Sequence, residues 1–183
     1  MTSRTDSDLL NNLQNGDSRS LGELYERYKG PLYAFCLQML HDGPRAEDAV
    51  HDTFVKVARQ AHTLTHAAAF RGWLFQIARN ETLMILRKAR PEHVEDDDDV
   101  WESQTPLTLL EQNERTEAVR TTLQSLKVRH REVLWLREFE GMSYSDIAAV
   151  TGSTESAVKS RLFHARRALA ERLAPLIFEG RKS

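Results

Sequence analysis

A chain of 183 residues with a formal net charge of −2 has room for one ordinary domain or two small ones, and its 40% apolar and 28% charged residues suit a folded core with a solvated surface. Eight Gly and five Pro make about 7% of the chain against a usual ~12%, so turns are scarce and sheet-rich folds are disfavoured. The longest nearly uncharged stretch, residues 31–40, is far below a bilayer span, no apolar segment follows Arg4, and the single Cys36 can form no internal disulfide; direct membrane insertion and secretion are not expected, and the expected location is cytoplasmic.

The apolar order Leu9, Leu10, Leu13, then Leu21, Leu24, Tyr25 and Tyr28, broken at Gly16-Asp17-Ser18, predicts two helices. Pro31 to Leu40 is almost continuously apolar and predicts a separate central helix packed on several sides, ending at His41-Asp42-Gly43. Pro44 suits the first turn of the next helix, where Ala46, Val50, Phe54, Val57 and Ala61 recur at spacings of three and four; the opposite face carries Asp48, Asp52, Val55 and Arg59. A further helix runs from Phe70 through Trp73, Leu74, Ile77 and Leu83 into a basic end, Arg87, Lys88 and Arg90, with Trp73 on the apolar stripe and so expected in the core. No stretch reads as a strand.

Charge then changes abruptly along the chain. Residues 1–90 carry +2, residues 91–107 carry −7 with no basic group, and residues 108–183 carry +3. The middle run, PEHVEDDDDVWESQTPL, is bracketed by prolines and has neither helical nor strand period, so it reads as a flexible acidic linker between two domains, 1–90 and 108–183. Solvation and self-repulsion alone explain such a run.

In the last segment Val119, Leu123 and Leu126 form one stripe, and Val133, Leu134, Leu136 and Phe139 another. Ser143 to Asp146 has capping-box spacing, with Asp where Glu or Gln is usual, and starts a short helix through Ile147 and Val150. Thr151-Gly152-Ser153 interrupts it: Gly152 suits a left-handed turn, and Ser153 or Thr154 suits the cap of a long helix whose Val158, Leu162, Ala165, Leu169 and Leu173 share a narrow stripe. Helix, tight turn, longer helix is helix-turn-helix form. The expected fold class is therefore all-α, two small helical domains joined by an acidic linker.

If that stripe faces inward, Ser156, Lys159, Ser160, Phe163, His164 and Arg167 face outward. Phe163 is unusual on a wet helix, but in a major groove an aromatic ring can meet thymine methyls or sugar while Lys and Arg reach phosphates and base edges. Long amphipathic helices are also basic for solubility alone; the Gly-punctuated helix in front of this one tips the reading to DNA. Enzymatic patterns are weak. His62 and His66 have i, i+4 spacing but lack the Glu of HExxH and a third ligand, the chain has neither a P-loop nor a GxSxG, and the four consecutive Asp sit in the linker, so no catalytic residue, metal or cofactor is expected.

The run REVLWLREFEGMSYSDIAAVTGSTESAVKSRLFHARRALAERL, within residues 126–173, closely resembles the promoter minus-thirty-five recognition domain of bacterial extracytoplasmic-function (ECF) sigma factors of the sigma-70 family, similar to the envelope-stress sigma-E type. PRAEDAVHDTFVKVAR resembles that family's docking segment for core RNA polymerase, and FRGWLFQIARNETLMILRK its minus-ten recognition and melting segment; the three stand in the family's order over almost the whole chain. The resemblance implies a transcription initiation factor, in which catalysis resides in core polymerase, with Asp48, His51 and Asp52 on the polymerase, His62 to Ala69 as the loop receiving a flipped base, Asn80 with Arg87 and Lys88 on the melted minus-ten strand, and Ser156, Lys159, Ser160, Phe163, His164 and Arg167 on the minus-thirty-five duplex. It further implies an anti-sigma partner, membrane-linked, and passage of Asp96 to Asp99 through the basic channel of polymerase. The chain departs from the family's common residues at His51 (usually Gln), Met84 (commonly polar, usually Asp) and Lys127 (commonly Pro). A DNA-binding regulator acting without polymerase would keep the last helix but has no use for the docking segment; a decoy for an anti-sigma factor could lose Lys159, Phe163 and Arg167, which are present; a hydrolase is the least supported reading.

Overall fold

The computed structural model describes residues 4–89, 119 and 121–179, with side chains of the last helix as far as residue 174. Every regular element among them is helical: α1 (Asp6–Gln14), α2 (Ser18–Leu40), α3 (Gly43–Gln60), two 3-10 turns (Ala61–Thr63 and Ala67–Ala69), α4 (Phe70–Ala89), α5 (Val128–Leu134), a π-helical turn (Trp135–Phe139), α6 (Tyr144–Thr151) and α7 (Glu155–Glu179). The chain forms two compact units, one built on α1–α4 and one on α5, α7 and the first part of α6. The expected linker, 91–107, lies outside the described residues.

In the first unit α2 packs on α1, α3 and α4, and α3 packs on α4. Thr5 starts α1 in a capping box, its hydroxyl accepting from the Asp8 N–H at 3.2 Å while the Asp8 carboxylate accepts from the Thr5 N–H at 3.0 Å. Asp6 then takes hydrogen bonds from the Arg27 guanidinium and the Tyr28 hydroxyl, which ties α1 to α2. Edge-on aromatic pairs, Tyr28 with Phe70 at 5.8 Å and Phe35 with Phe75 at 5.7 Å, fill the interior, and the exposed Tyr25 meets Phe54 edge-on at 5.0 Å. Cys36 is fully buried with Thr82 Oγ1 at 3.6 Å, and burial pushes its thiol up to about 11.

Two expectations need correction. Pro31 does not begin a helix of its own: α2 is one helix of 23 residues with Pro31 inside it. Arg27 and Pro31 are both exposed, so the Arg27 carbonyl that loses its N–H partner at Pro31 lies on the wet side, and continuity of the buried face (Leu24, Tyr28, Leu32, Phe35) outweighs that loss. Phe139 is not core either; it is 57% exposed and its ring stacks on Trp135 at 4.2 Å. The π-helical turn, closed by the Glu140 N–H on the Trp135 carbonyl at 3.2 Å, inserts extra backbone per turn and rotates Phe139 off the stripe that Val133, Leu134 and Leu136 keep.

In the second unit residues 121–124 are helical, and Leu123 and Leu126 are buried whereas Val119 is exposed. Arg131, 1% exposed, donates to the carbonyls of Gln124 at 2.6 Å and Leu126 at 3.2 Å, supplying donors to the end of that short helix from α5. Burial lowers its pKa to about 10, so it stays cationic at neutral pH. From α7, Arg172 donates to the Ser125 carbonyl at 2.6 Å and hydroxyl at 2.9 Å.

Glu81 on α4 is buried and takes an ion pair from Lys56 of α3. Lys56→Met leaves that carboxylate unpaired and is expected to destabilise the first unit by about 2–3 kcal/mol, below the ~3–5 of a fully buried pair because Lys56 is 41% exposed. Lys56→Met/Glu81→Leu is expected to recover most of the loss. Hydrogen exchange of α3 and α4 amides in both variants checks this, and a single variant as stable as the parent would refute it. Arg131→Met is expected to destabilise the second unit by about 2–3 kcal/mol through the two deserted carbonyls. Denaturant unfolding followed at residues 121–174 by hydrogen exchange measures it; an unchanged opening free energy there removes Arg131 as a structural donor.

Candidate functional site

On α3 the buried residues Ala46, Ala49, Val50, Thr53, Phe54 and Val57 form one side. Asp42 fixes the start of the helix by accepting from the Arg45 N–H at 3.0 Å. The periodicity then leaves Asp48, His51 and Asp52 exposed together, i, i+3 and i+4 on one outer face. His51 Nδ1 stands 3.7 Å from Asp52 Oδ1. With both side chains well solvated, the face is free to meet cationic groups of a partner.

The loop before α4 is held in place by a residue that sequence reasoning passed over: Gln14 of α1 donates from its amide to the carbonyls of Ala61 at 2.8 Å and Leu64 at 2.9 Å. His62 and Thr63 in the first 3-10 turn, and Thr65 and His66 between the two turns, are exposed. Along α4, Asn80, Met84, Arg87 and Lys88 are all exposed at i, i+4, i+7 and i+8, so they line one face. Met84, 38% exposed, puts a thioether between an amide and two cations. Directly beside Asn80, Glu81 turns inward to Lys56, which fixes the rotation of α4 about its axis. Trp73 is half-buried, with its ring 6.2 Å from Phe70.

The second unit carries the helix-turn-helix. Ser143 and Asp146 satisfy each other's N–H groups at 3.1 Å and open α6. Gly152 takes φ +62, a left-handed conformation that a residue with a Cβ resists, and the Ser153 N–H bonds the Ala148 carbonyl at 2.9 Å. Thr154 then caps α7, accepting from the Ala157 N–H at 3.2 Å. Val158, Leu162 and Ala165 are completely buried, and Leu169 and Leu173 half-buried. As expected from the angular count, Ser156, Lys159, Ser160, Phe163, His164 and Arg167 are all exposed, Phe163 by 64%.

Around this face the structure adds Tyr144 and Arg166, which no pattern singled out. Tyr144, Lys159, Leu162, Phe163, Arg166 and Arg167 line an open cleft of about 410 Å³. The Tyr144 ring receives the Lys159 ammonium at 5.7 Å and the Arg137 guanidinium at 5.0 Å, so one aromatic ring orients two cations. Arg166 is latched to Glu138 at 2.7 Å and Arg167 to Glu171 at 2.8 Å. Both pairs are exposed, hence weak and readily exchanged for a stronger anion. The arrangement offers an exposed helix face with cations, hydroxyls and an aromatic ring, the groups that suit a DNA groove. Among the described residues no three His, Cys, Asp or Glu side chains come together as metal ligands, and no helix is long and apolar enough to cross a membrane.

Comparison with known proteins agrees with both halves. Residues 24–92 match the family model of sigma-70 region 2, and residues 116–169 that of sigma-70, region 4. The chain is 31% identical to the RNA polymerase sigma-H factor of Pseudomonas aeruginosa, covering 98% of this chain and 99% of that protein. It is 29% identical to the ECF RNA polymerase sigma-E factor of Escherichia coli K12, covering 94% and 96%. Two solved structures are similar at 26% identity: CnrH in complex with the cytosolic domain of CnrY, with a TM-score of 0.71 over 93% of this chain and 97% of that one, and the sigma factor RpoE in complex with the anti-sigma factor NepR from Bartonella quintana, with 0.66 over 84% and 96%. With region 2 and region 4 matched in order and relatives aligned end to end, the chain belongs to the sigma-70 family as an extracytoplasmic-function sigma factor, a transcription initiation factor that binds core RNA polymerase and directs promoter recognition.

Proposed function

We propose that residues 1–90 dock on core polymerase and capture the melted minus-ten strand, that residues 91–107 form an acidic tether, and that residues 108–183 read the minus-thirty-five duplex. Asp48, His51 and Asp52 present the acidic face to polymerase. Asn80 offers donor and acceptor to an unpaired base, with Arg87 and Lys88 on the backbone beside it. Ser156, Lys159, Ser160, Phe163, His164 and Arg167 enter the major groove. The observation that carries the reading is the outward set on α7: behind the Gly152 turn, an exposed Phe163 that is costly in water stands among exposed cations, a combination suited to a groove. Neither half then needs tight binding alone; held on one polymerase, each raises the effective concentration of the other.

Bond making belongs to core polymerase, and the factor acts in the cytoplasm. An anti-sigma partner, membrane-linked, holds it inactive by covering the polymerase-binding surfaces; in support, one similar solved structure is a sigma factor in complex with an anti-sigma factor, NepR, and another is CnrH in complex with the cytosolic domain of CnrY. Co-purification that recovers polymerase but never an inhibitor would count against that partner.

In vitro transcription with core polymerase on a pool of promoter fragments tests the division of labour. Lys159→Ala/Arg167→Ala is expected to lower promoter affinity at least about tenfold with core affinity unchanged. Asp48→Ala/Asp52→Ala is expected to lower core affinity by about tenfold and leave the transcripts' promoter motif unaltered. Asn80→Ala is expected to slow strand opening without changing either affinity. A chain that binds duplex DNA tightly without polymerase and starts no transcripts is a stand-alone regulator, and the roles of Asp48 and Asp52 fall with that result.

A further inference from the structure

The cleft beside α7 is lined by three cations, Lys159, Arg166 and Arg167, and the chain holds them in two different ways. Arg166 and Arg167 are each paired with a carboxylate, Glu138 at 2.7 Å and Glu171 at 2.8 Å. Lys159 has no carboxylate partner among the described residues; its ammonium stands 5.7 Å from the centre of the Tyr144 ring. A carboxylate neutralises the cation it holds and must be displaced before another anion takes its place, whereas a ring leaves the full charge available. A lysine stem also has many rotamers to lose on binding, so a ring that already holds the ammonium lowers that ordering cost in advance.

Tyr144 suits this task because its own place is fixed from several sides. It is half-buried and the first residue of α6. Two residues earlier, the Met142 N–H bonds the Leu136 carbonyl at 3.0 Å, and Arg137 donates to the Met142 carbonyl at 2.6 Å while its guanidinium lies 5.0 Å from the Tyr144 ring. Ser143 and Asp146 bond each other's N–H groups at 3.1 Å and so brace the backbone on both sides of Tyr144. Of the two cations on the ring, half-buried Arg137 is thereby committed to the chain, and Lys159, exposed on α7, is the one placed to meet a ligand.

We infer that Tyr144 is a positioning residue for promoter binding: its ring, and not its hydroxyl, holds the Lys159 ammonium charged and ordered for the duplex. This rests on the assignment of Lys159 to the minus-thirty-five duplex.

The test measures affinity for a labelled promoter duplex at constant ionic strength, with holoenzyme assembled from the full chain and core polymerase. Tyr144→Leu is expected to weaken promoter affinity about 2- to 5-fold, through the ordering cost that returns to the lysine, with core affinity unchanged. Tyr144→Phe keeps the ring and is expected to keep the parental affinity. In the Lys159→Ala background Tyr144→Leu is expected to cost nothing further, so the two positions couple in a double-mutant cycle. A merely structural role, or a general loosening of α6 by the substitution, weakens binding equally in both backgrounds, and that result overturns the inference. A loss in Tyr144→Phe as large as in Tyr144→Leu assigns the effect to the hydroxyl and overturns it too. In either case a loss in Lys159→Ala alone leaves the reading of α7 standing. If Lys159→Ala keeps the parental promoter affinity, that reading fails at Lys159 and the inference falls with it.

Discussion

Burial of Val158, Leu162 and Ala165 decides what the second unit shows to solvent. All three are withdrawn from water, and fully burying a Val or Leu side chain stabilises by about 1.5–3 kcal/mol. Turning α7 by one residue, ~100°, would expose this stripe and drive lysine or arginine into the apolar interface. The outward set is thus the geometric complement of the buried one. The same holds on α3, where Ala46, Val50, Phe54 and Val57 bury one side and thereby commit Asp48 and Asp52 to the other.

Charge is arranged differently where it builds and where it can act. Lys56 and Glu81 couple α3 to α4 with the carboxylate buried, so the pair fixes which way Asn80 and Met84 point. Asp6 does comparable work between α1 and α2, taking both Arg27 and the Tyr28 hydroxyl. On α7, by contrast, Arg166 and Arg167 sit in exposed pairs that hold the side chains extended without binding them firmly. Such pairs keep a basic helix soluble and neutralised until a polyanion replaces the glutamates.

What the sequence makes legible follows from how local the cause is. The stripes of α3 and α7, the Gly152 turn and the Ser143–Asp146 box are patterns within one or two helical turns, and the outward residues follow by angle alone. Pro31 misleads because its penalty depends on whether the deserted carbonyl is wet, which no local window reveals. Phe139 misleads because a single π-helical turn shifts the register after Leu134. Glu81, Arg131 and Gln14 are invisible for a third reason: each acts on a group far along the chain or across a turn, the Lys56 ammonium, the Gln124 and Leu126 carbonyls, and the Ala61 and Leu64 carbonyls. Tyr144 hides likewise, since only folding brings Arg137 and Lys159 over one ring.

A chain with net charge −2 has little general attraction for DNA, and here the −7 of residues 91–107 offsets the +3 that follows. Non-specific binding grows with the number of phosphates neutralised at once, and a chain whose acids outnumber its bases gains little from it. Among the described residues of the second unit, the cations stand mostly on α7 and in and just before α5. Affinity must then come from engaging several surfaces together. In the proposed division of labour, promoter choice is then a property of the assembly with polymerase, in which the acidic face of α3, the amide-bearing face of α4 and the basic face of α7 each raise the effective concentration of the others.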